Sequence, residues 1–239
     1  MAVRELYNRL SSNYDARHQS PTTAAIRERE KRLLEKFAKG RILDLGCGTG
    51  FHLQLLSGMQ AKACGLDISE GMLKKSKERG LAGLVQGNAE TLPFANQAFD
   101  TVICLFATLN ICDLGKALAE MARISKQGSL AIVSFASVYD NNYALREKLS
   151  GKKLRFRKAG IEKQKLGIRL YEKEEVVKAF GKAGYVMELF DAAFIAARPN
   201  WNNYNPLGAW TKLALFVERY FPDALKKYGC LHYFVFRKA

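Results

Sequence analysis

The sequence predicts an α/β protein built on a doubly wound, largely parallel sheet. Three observations predict it. From residue 41 to 136, strand-length apolar runs mostly alternate with helix-patterned segments. The runs are apolar almost throughout rather than at every second residue, as expected when helices cover both faces of a sheet. The first run, "RILDLG", breaks into glycines at 46, 48 and 50, which suits a sharp turn from strand into helix.

Residues 24–39 put Ile26, Leu33, Leu34 and Phe37 near one helical face, and Gly40 stops the helix. After the first strand, "FHLQLLS" is a short helix. "AKACGLDIS" is a second strand ending at Asp67, and Ser69 caps the helix "EGMLKKSKER". "LAGLVQGNAE" is a third strand ending near Asn88. The link to the fourth strand, "AFDTVICLFA", has room for a single turn. "DLGKALAEMARIS" is a helix and "GSLAIVSFA" a fifth strand. Beyond 136 the rhythm changes: a basic stretch, the helix "YEKEEVVKAFGKAG", a sixth strand "YVMELFDAAFIAA", an interruption at 198–228 and a last strand "CLHYFVFRK". With no repeat, low-complexity tract or clean linker, residues 1–239 read as one domain. It has a helical cover at 1–39, a core at 41–136, a basic insertion at 137–170 and an aromatic helical insertion at 198–228.

Composition narrows the function. The chain has 239 residues, 48% of them hydrophobic, so it can bury a sizeable core. No uninterrupted apolar stretch is long enough to span a bilayer, and residues 1–15 lack a signal-peptide apolar core. Five scattered cysteines without a CxxC pair read as reduced core thiols in a cytoplasm. Three histidines offer no metal-ligand spacing, so no metal is expected. The formal net charge is +15. Residues 146–169 hold ten Lys/Arg against two Glu, which suits either an anionic partner or a solvated basic face.

Glycines at a strand end let a ligand approach the backbone closely and open a helix N-terminus toward it. A dinucleotide fingerprint needs GxGxxG; here the spacing is GxGxG, and Phe51 stands where the third glycine belongs. Asp67 at the second strand end can accept from ribose hydroxyls in either a dinucleotide or a S-adenosylmethionine site. Asp44 separates the two. A carboxylate on the strand would repel a pyrophosphate and favour the ammonium of a methionine moiety, and left alone in the core it is costly. The alternative is a carboxylate satisfied by neighbouring backbone N–H groups.

"ILDLGCGTG", "GLDIS", "GNAETLPFANQAFDTVIC" and "GSLAIVSF" follow in order. Together they resemble the motif set of the class I S-adenosylmethionine-dependent methyltransferases, over residues 41–136 and more loosely the final strands. The resemblance implies a Rossmann-like, seven-stranded mixed sheet whose last strand runs antiparallel. It implies S-adenosylmethionine as methyl donor and S-adenosylhomocysteine as product. Asp44, Gly46, Cys47, Gly48 and Gly50 would hold the methionine end. Asp67 would take the ribose, with Ile68 and Met72 beside the adenine. Asn88 and Ala89 would meet the adenine edge, and Leu105 and Phe106 would approach the sulfonium side. The family often has Asp at the position of Asn88; Asn can accept from the adenine amino group and also donate to a ring nitrogen.

Methyl transfer needs a nucleophile held in line and water excluded. The attacking atom belongs to the substrate, so no catalytic group is read from sequence. A "Y…NYD" segment ahead of the glycines resembles the covering N-terminus of small-molecule and lipid-quinone members. Tyr7, Tyr14, His18 and Asn110 are the substrate candidates. Three of the four have a structural counterpart: Tyr14 a packed ring, His18 an exposed histidine with nothing to position it as a base, and Asn110 a helix cap. Residues 190–236 hold twelve of the 26 aromatics, and 207–221 can form one apolar helical face, either packed on the sheet or covering a pocket. These lid-like segments favour a small or lipid-like acceptor in an apolar pocket. The rivals are an RNA methyltransferase using 146–169, a non-catalytic S-adenosylmethionine-binding protein, and an oxidoreductase.

Overall fold

A computed structural model describes residues 3–106, 108–139, 156–161, 164–194 and 217–239. Its centre is a seven-stranded sheet of β1 (Arg41–Leu45), β2 (Lys62–Asp67), β3 (Leu84–Gln86), β4 (Phe99–Cys104), β5 (Ser125–Ala136), β8 (Tyr185–Ala193) and β9 (Leu231–Lys238). The order is β3-β2-β1-β4-β5-β9-β8. β1 to β5 pair in parallel, and β9 runs antiparallel to both β5 and β8. The mixed sheet with one reversed strand is the architecture the motif order implies.

Strand parity sorts the side chains into two layers. Leu43, Leu45, Val102 and Val133 face a core completed by Leu118 and Met121 of α6 (Leu114–Ile124) and Phe180 of α7 (Lys173–Lys182). Their neighbours Ile42, Ile103 and Ile132 face a second core with Ile26 and Leu34 of α3 (Pro21–Phe37) and Leu56 of α4 (Phe51–Gly58). Both faces are covered, so the strands are apolar in unbroken runs. Asp44 has the parity of Ile42. It therefore faces the side roofed by α3 and α4.

Local chemistry sets the helix starts. Ser20 caps α3, with Pro21 at its first position. Ser69 Oγ accepts from Met72 N to start α5 (Glu70–Glu78). Asp113 Oδ1 accepts from Lys116 N to start α6. Ahead of these, α1 (Val3–Leu10) and α2 (Tyr14–Arg17) precede α3, and α1 packs on α5.

Three expectations change. β3 stops at Gln86, and Asn88 lies beyond it in an isolated bridge to Thr91. The link from β3 to β4 carries turns and that bridge, with no helical turn. Within the basic insertion, β6 (Phe156–Ile161) and β7 (Gln164–Arg169) form an antiparallel hairpin separate from the main sheet. Residues 140–155 of that insertion, and 195–216 with most of the expected aromatic helix, lie outside the described residues. Of the aromatic segment, Glu218–Tyr220 is a single 3-10 turn and Asp223–Lys226 a short helix.

Candidate functional site

β1 is followed by crossovers in opposite directions, toward β2 on one side and β4 on the other. A crevice opens at the carboxyl ends of the strands at such a switch. A cavity of about 320 Å³ lies there. Gly46 and Gly48 line it from β1, Asp67 and Ile68 from β2, and Asn88 and Ala89 from β3. Phe106 and Thr108 close it from β4, and Met72, Tyr7 and Tyr14 cover it.

The glycine turn is stitched to β2. The N–H groups of Gly46 and Cys47 both donate to the Leu66 carbonyl, at 2.7 and 3.0 Å. Gly46 has φ +79° and Gly48 φ +54°, in the left-handed region. A Cβ at Gly46 would lie 2.4 Å from Thr108 Oγ1, so the β4 loop needs this glycine. At Gly48 a Cβ would meet nothing within 4 Å; the space before it is open. Asp67 completes the stitching. Its Oδ2 accepts from Gly48 N at 2.9 Å and its Oδ1 from Ser69 N at 2.8 Å. Burial raises its pKa, against the hydrogen bonds from Ser69, Gly48 and Ile68.

Asp44 lies behind the turn and does not itself line the cavity. It is buried, and its Oδ2 has no hydrogen-bond partner among the described residues. The backbone-satisfied alternative is therefore not what that oxygen adopts. Burial pushes its pKa up to about 6; His52 opposes the rise, and Asp67 and Glu30 add to it. His52 of α4 and Glu30 of α3 form a buried pair, Nε2 to Oε2 at 3.0 Å. Burial alone would lower the His52 pKa, yet the Glu30 charge and hydrogen bond and the Asp44 charge raise it. Glu30 and His52, but not Asp44, border a second, smaller pocket of about 50 Å³, which shares Tyr14, Gly46, Gly48 and Phe106 with the main cavity. Cys47 and Leu105 line this smaller pocket rather than the larger one. Cys47 also packs with Leu53 and Leu73, and burial pushes its thiol pKa up. Gly50 lines neither; it caps α4 at φ +87°.

The N-terminal cover is latched by a few side chains. Asn8 Oδ1 accepts from Ser69 Oγ at 2.7 Å and Gly71 N at 3.0 Å. Asp15 accepts from Thr49 Oγ1 at 2.8 Å and pairs with Arg79. Leu6 and Leu10 pack on Met72. Burial, then the Asp67 charge, pushes the Tyr7 hydroxyl up to about 12, and burial raises Tyr14 further.

His18 departs from expectation. It is half-buried, tilted at 34° against Tyr14 with 4.3 Å between ring centroids and edge-on to Phe106 at 5.2 Å. Its Nδ1 lies 2.7 Å from the Tyr14 carbonyl. A carbonyl only accepts, so the network assigns the proton to Nδ1 and leaves Nε2 bare. Burial lowers the His18 pKa, Arg27 and Arg17 lower it further, and the Tyr14 and Asp15 contacts oppose. Phe106 sits at φ +61°, a conformation a bulky residue adopts only when its surroundings impose it.

Asn110 belongs to the framework. Its Nδ2 donates to the carbonyls of Ala136 and Arg169, and its Oδ1 accepts from Ala136 N. It neither lines the cavity nor caps α6, because both ends of its amide are already committed. Sequence reasoning missed Arg27, Glu30, His52 and Thr108. The first two sit in a charge-rich helical stretch, "REREKR", where nothing local marks the buried member.

No helix among the described residues is long and apolar enough to cross a membrane.

Comparison with known proteins gives a consistent result. Residues 43–133 match a family described as a methyltransferase domain. The chain is 35% identical over 199 residues to an uncharacterised protein of Methanocaldococcus jannaschii, covering 77% of this chain and 76% of that one. It is 36% identical over 149 residues to a demethylmenaquinone methyltransferase of Symbiobacterium thermophilum, covering 56% of this chain and 59% of that enzyme. A S-adenosylmethionine-dependent methyltransferase from Thermotoga maritima superposes with a TM-score of 0.65 at 20% identity, covering 98% of this chain and 99% of the other. At that identity the superposition speaks to the fold alone.

Proposed function

Because the chain belongs to the class I S-adenosylmethionine-dependent methyltransferases, we propose that it transfers a methyl group to a small or lipid-like acceptor by in-line displacement. The observation that carries the cofactor half is the buried, unpartnered Oδ2 of Asp44 two residues before an open glycine turn. Such an oxygen is costly unless a cation or donor meets it. The residues present therefore fit a ligand with a cationic end.

S-adenosylmethionine supplies, when bound, a methyl group activated by its sulfonium. The chain's own residues do the rest. Asp67 takes the ribose hydroxyls on the lone pairs that Gly48 and Ser69 leave free. Ile68, Met72, Asn88 and Ala89 border the adenine. Gly46, Cys47 and Gly48 would give the methionine end a close backbone approach, with Gly50 serving only to cap α4, and Leu105 and Phe106 would flank the sulfonium side. Tyr7 and Tyr14 close the cavity against water. For an acceptor that loses a proton on methylation, His18 receives it at Nε2.

Similarity to demethylmenaquinone methyltransferases supports a quinone-like or other small acceptor, as does the aromatic cover of Tyr7, Tyr14, His18 and Phe106. Two experiments test the reading. Asp44→Asn should weaken S-adenosylhomocysteine binding about tenfold or more, the scale of a lost charged hydrogen bond, without a matching loss of thermal stability. Equal losses would sink the cofactor half. Incubation of a host extract with methyl-labelled S-adenosylmethionine should put label in the organic-soluble fraction; label in RNA would overturn the acceptor half.

A further inference from the structure

The basic insertion has no part in the roles above, and the fold gives it a shape. β6 and β7 pair with each other and with no strand of the main sheet. Directly paired residues of an antiparallel hairpin share a face, and successive residues alternate between faces. The register therefore puts Ala159, Ile161, Leu166 and Ile168 on one face, beside Arg157 and Gln164. Lys158, Lys165, Arg169 and Phe156 share the other. The two strands hold four cations and no acid. An isolated two-stranded hairpin is marginal in water, so its apolar face calls for a cover.

The hairpin is fixed beside the main cavity. β7 ends at Arg169, whose carbonyl accepts from Asn110 Nδ2. The same amide donates to the Ala136 carbonyl at the end of β5. Asn110 closes the 3-10 turn Thr108–Asn110, and Thr108, Ile111 and Cys112 line the cavity. Hairpin base and cavity therefore lie on the same carboxyl edge of the sheet. At that base Arg169 is exposed and Ile168 partly so.

A cationic, two-faced hairpin suits a surface that offers both phosphates and hydrocarbon. An anionic bilayer presents the two at one boundary, whereas RNA presents phosphates without hydrocarbon. We propose that the β6–β7 hairpin docks the protein on an anionic lipid bilayer and so holds the cavity against the membrane in which a lipid-like acceptor is dissolved. The face of Ile161 and Leu166 enters the boundary between headgroups and acyl chains, and the lysines and arginines meet lipid phosphates. The inference rests on the lipid-like acceptor reading and adds the surface from which that acceptor is drawn.

Vesicle sedimentation tests it, with phosphatidylcholine vesicles made with or without phosphatidylglycerol. The wild-type protein should partition onto the mixed vesicles about tenfold or more above pure phosphatidylcholine, and added salt should narrow the difference. Arg157→Gln, Lys158→Gln and Lys165→Gln together should lower partitioning onto mixed vesicles about tenfold or more. Ile161→Ser with Leu166→Ser should lower what partitioning remains at high salt several-fold. Both variants should keep S-adenosylhomocysteine affinity within about twofold, which reports an intact fold. Equal partitioning onto the two vesicle types, none onto either, or a triple variant that behaves as wild type would overturn the docking. Transfer RNA bound through the same three cations, without vesicle binding, would overturn it in favour of RNA. None of these readouts involves turnover, so the docking can fail while label from S-adenosylmethionine still enters the organic-soluble fraction. Label in RNA would overturn the acceptor reading whatever the vesicles show.

Discussion

The floor and the cover of the cavity are held by different kinds of bonds. In the floor, backbone donors at Gly46, Cys47, Gly48 and Ser69 meet the Leu66 carbonyl and the Asp67 carboxylate. The cover rests on Asn8, on Asp15 and on a small apolar cluster of Leu6, Leu10 and Met72. A floor made of backbone bonds is preformed and changes little when a ligand arrives. A cover held by a few side chains can open and reclose at low cost. The contrast gives the floor the work of recognition, and the cover the work of admission and exclusion of water.

The largest way to break the contrast is in the floor. Gly46→Val would drive a side chain into Thr108 at a left-handed φ. It should abolish detectable S-adenosylhomocysteine binding and destabilise the protein by about 2–4 kcal/mol, read from a denaturant midpoint. Next comes the cover's own chemistry. If His18 is the base, His18→Gln should lower kcat about 100-fold and leave S-adenosylhomocysteine affinity within about twofold, less than RT ln 2 of binding free energy. The wild-type rate should fall with acidification only below the ordinary histidine range, because the His18 pKa is lowered; the variant should lose that acidic limb. A variant that keeps the limb would assign the proton to another group.

Asp44 sharpens the comparison with pH. Its carboxyl titrates at about 6 in the fold against 3.8 for the free group. The folded ligand-free protein therefore holds this proton more tightly than the unfolded chain does. From this group alone, stability should rise as pH falls through about 6 toward 4, and the cost above pH 6 is about 3 kcal/mol. Thermal unfolding of Asp44→Asn should show a flatter slope over that range and a higher Tm at pH 7.5. A variant less stable than wild type at pH 7.5 would refute it. The smallest effect belongs to the latch. Asp15→Ala should raise the dissociation rate of S-adenosylhomocysteine a few-fold and cost under about 1 kcal/mol of stability, the scale of a partly exposed ion pair. Stopped-flow release against equilibrium unfolding separates the two.

The legibility of the sequence follows the same division. β1, the glycine turn, Asp67 and the Ser69 cap were readable because each depends on residues close in the chain. Asn110 was not, since its partners lie 26 and 59 residues away. Nor was the company of Asp44, which follows from the strand parity that turns it toward α3 and α4. The packing of His18 was not legible, because its neighbour Phe106 comes from beyond the end of β4. The β6–β7 hairpin carries a strand signal, Ala159 and Ile161, then Leu166 and Ile168, at two-residue spacing. The Lys and Arg interleaved with these residues obscured it.

Asp67 carries one more consequence. Its two oxygens tie the glycine turn to the start of α5, and the same carboxylate faces the cavity. One side chain therefore acts as a ruler between the place where, on the proposed function, a sugar is read and the place where the chain turns. Asp67→Glu would keep the charge but lengthen the ruler by one methylene. The two loops would then have to move apart, or the sugar would be met at the wrong depth. Aspartate is required there for its length as much as for its charge.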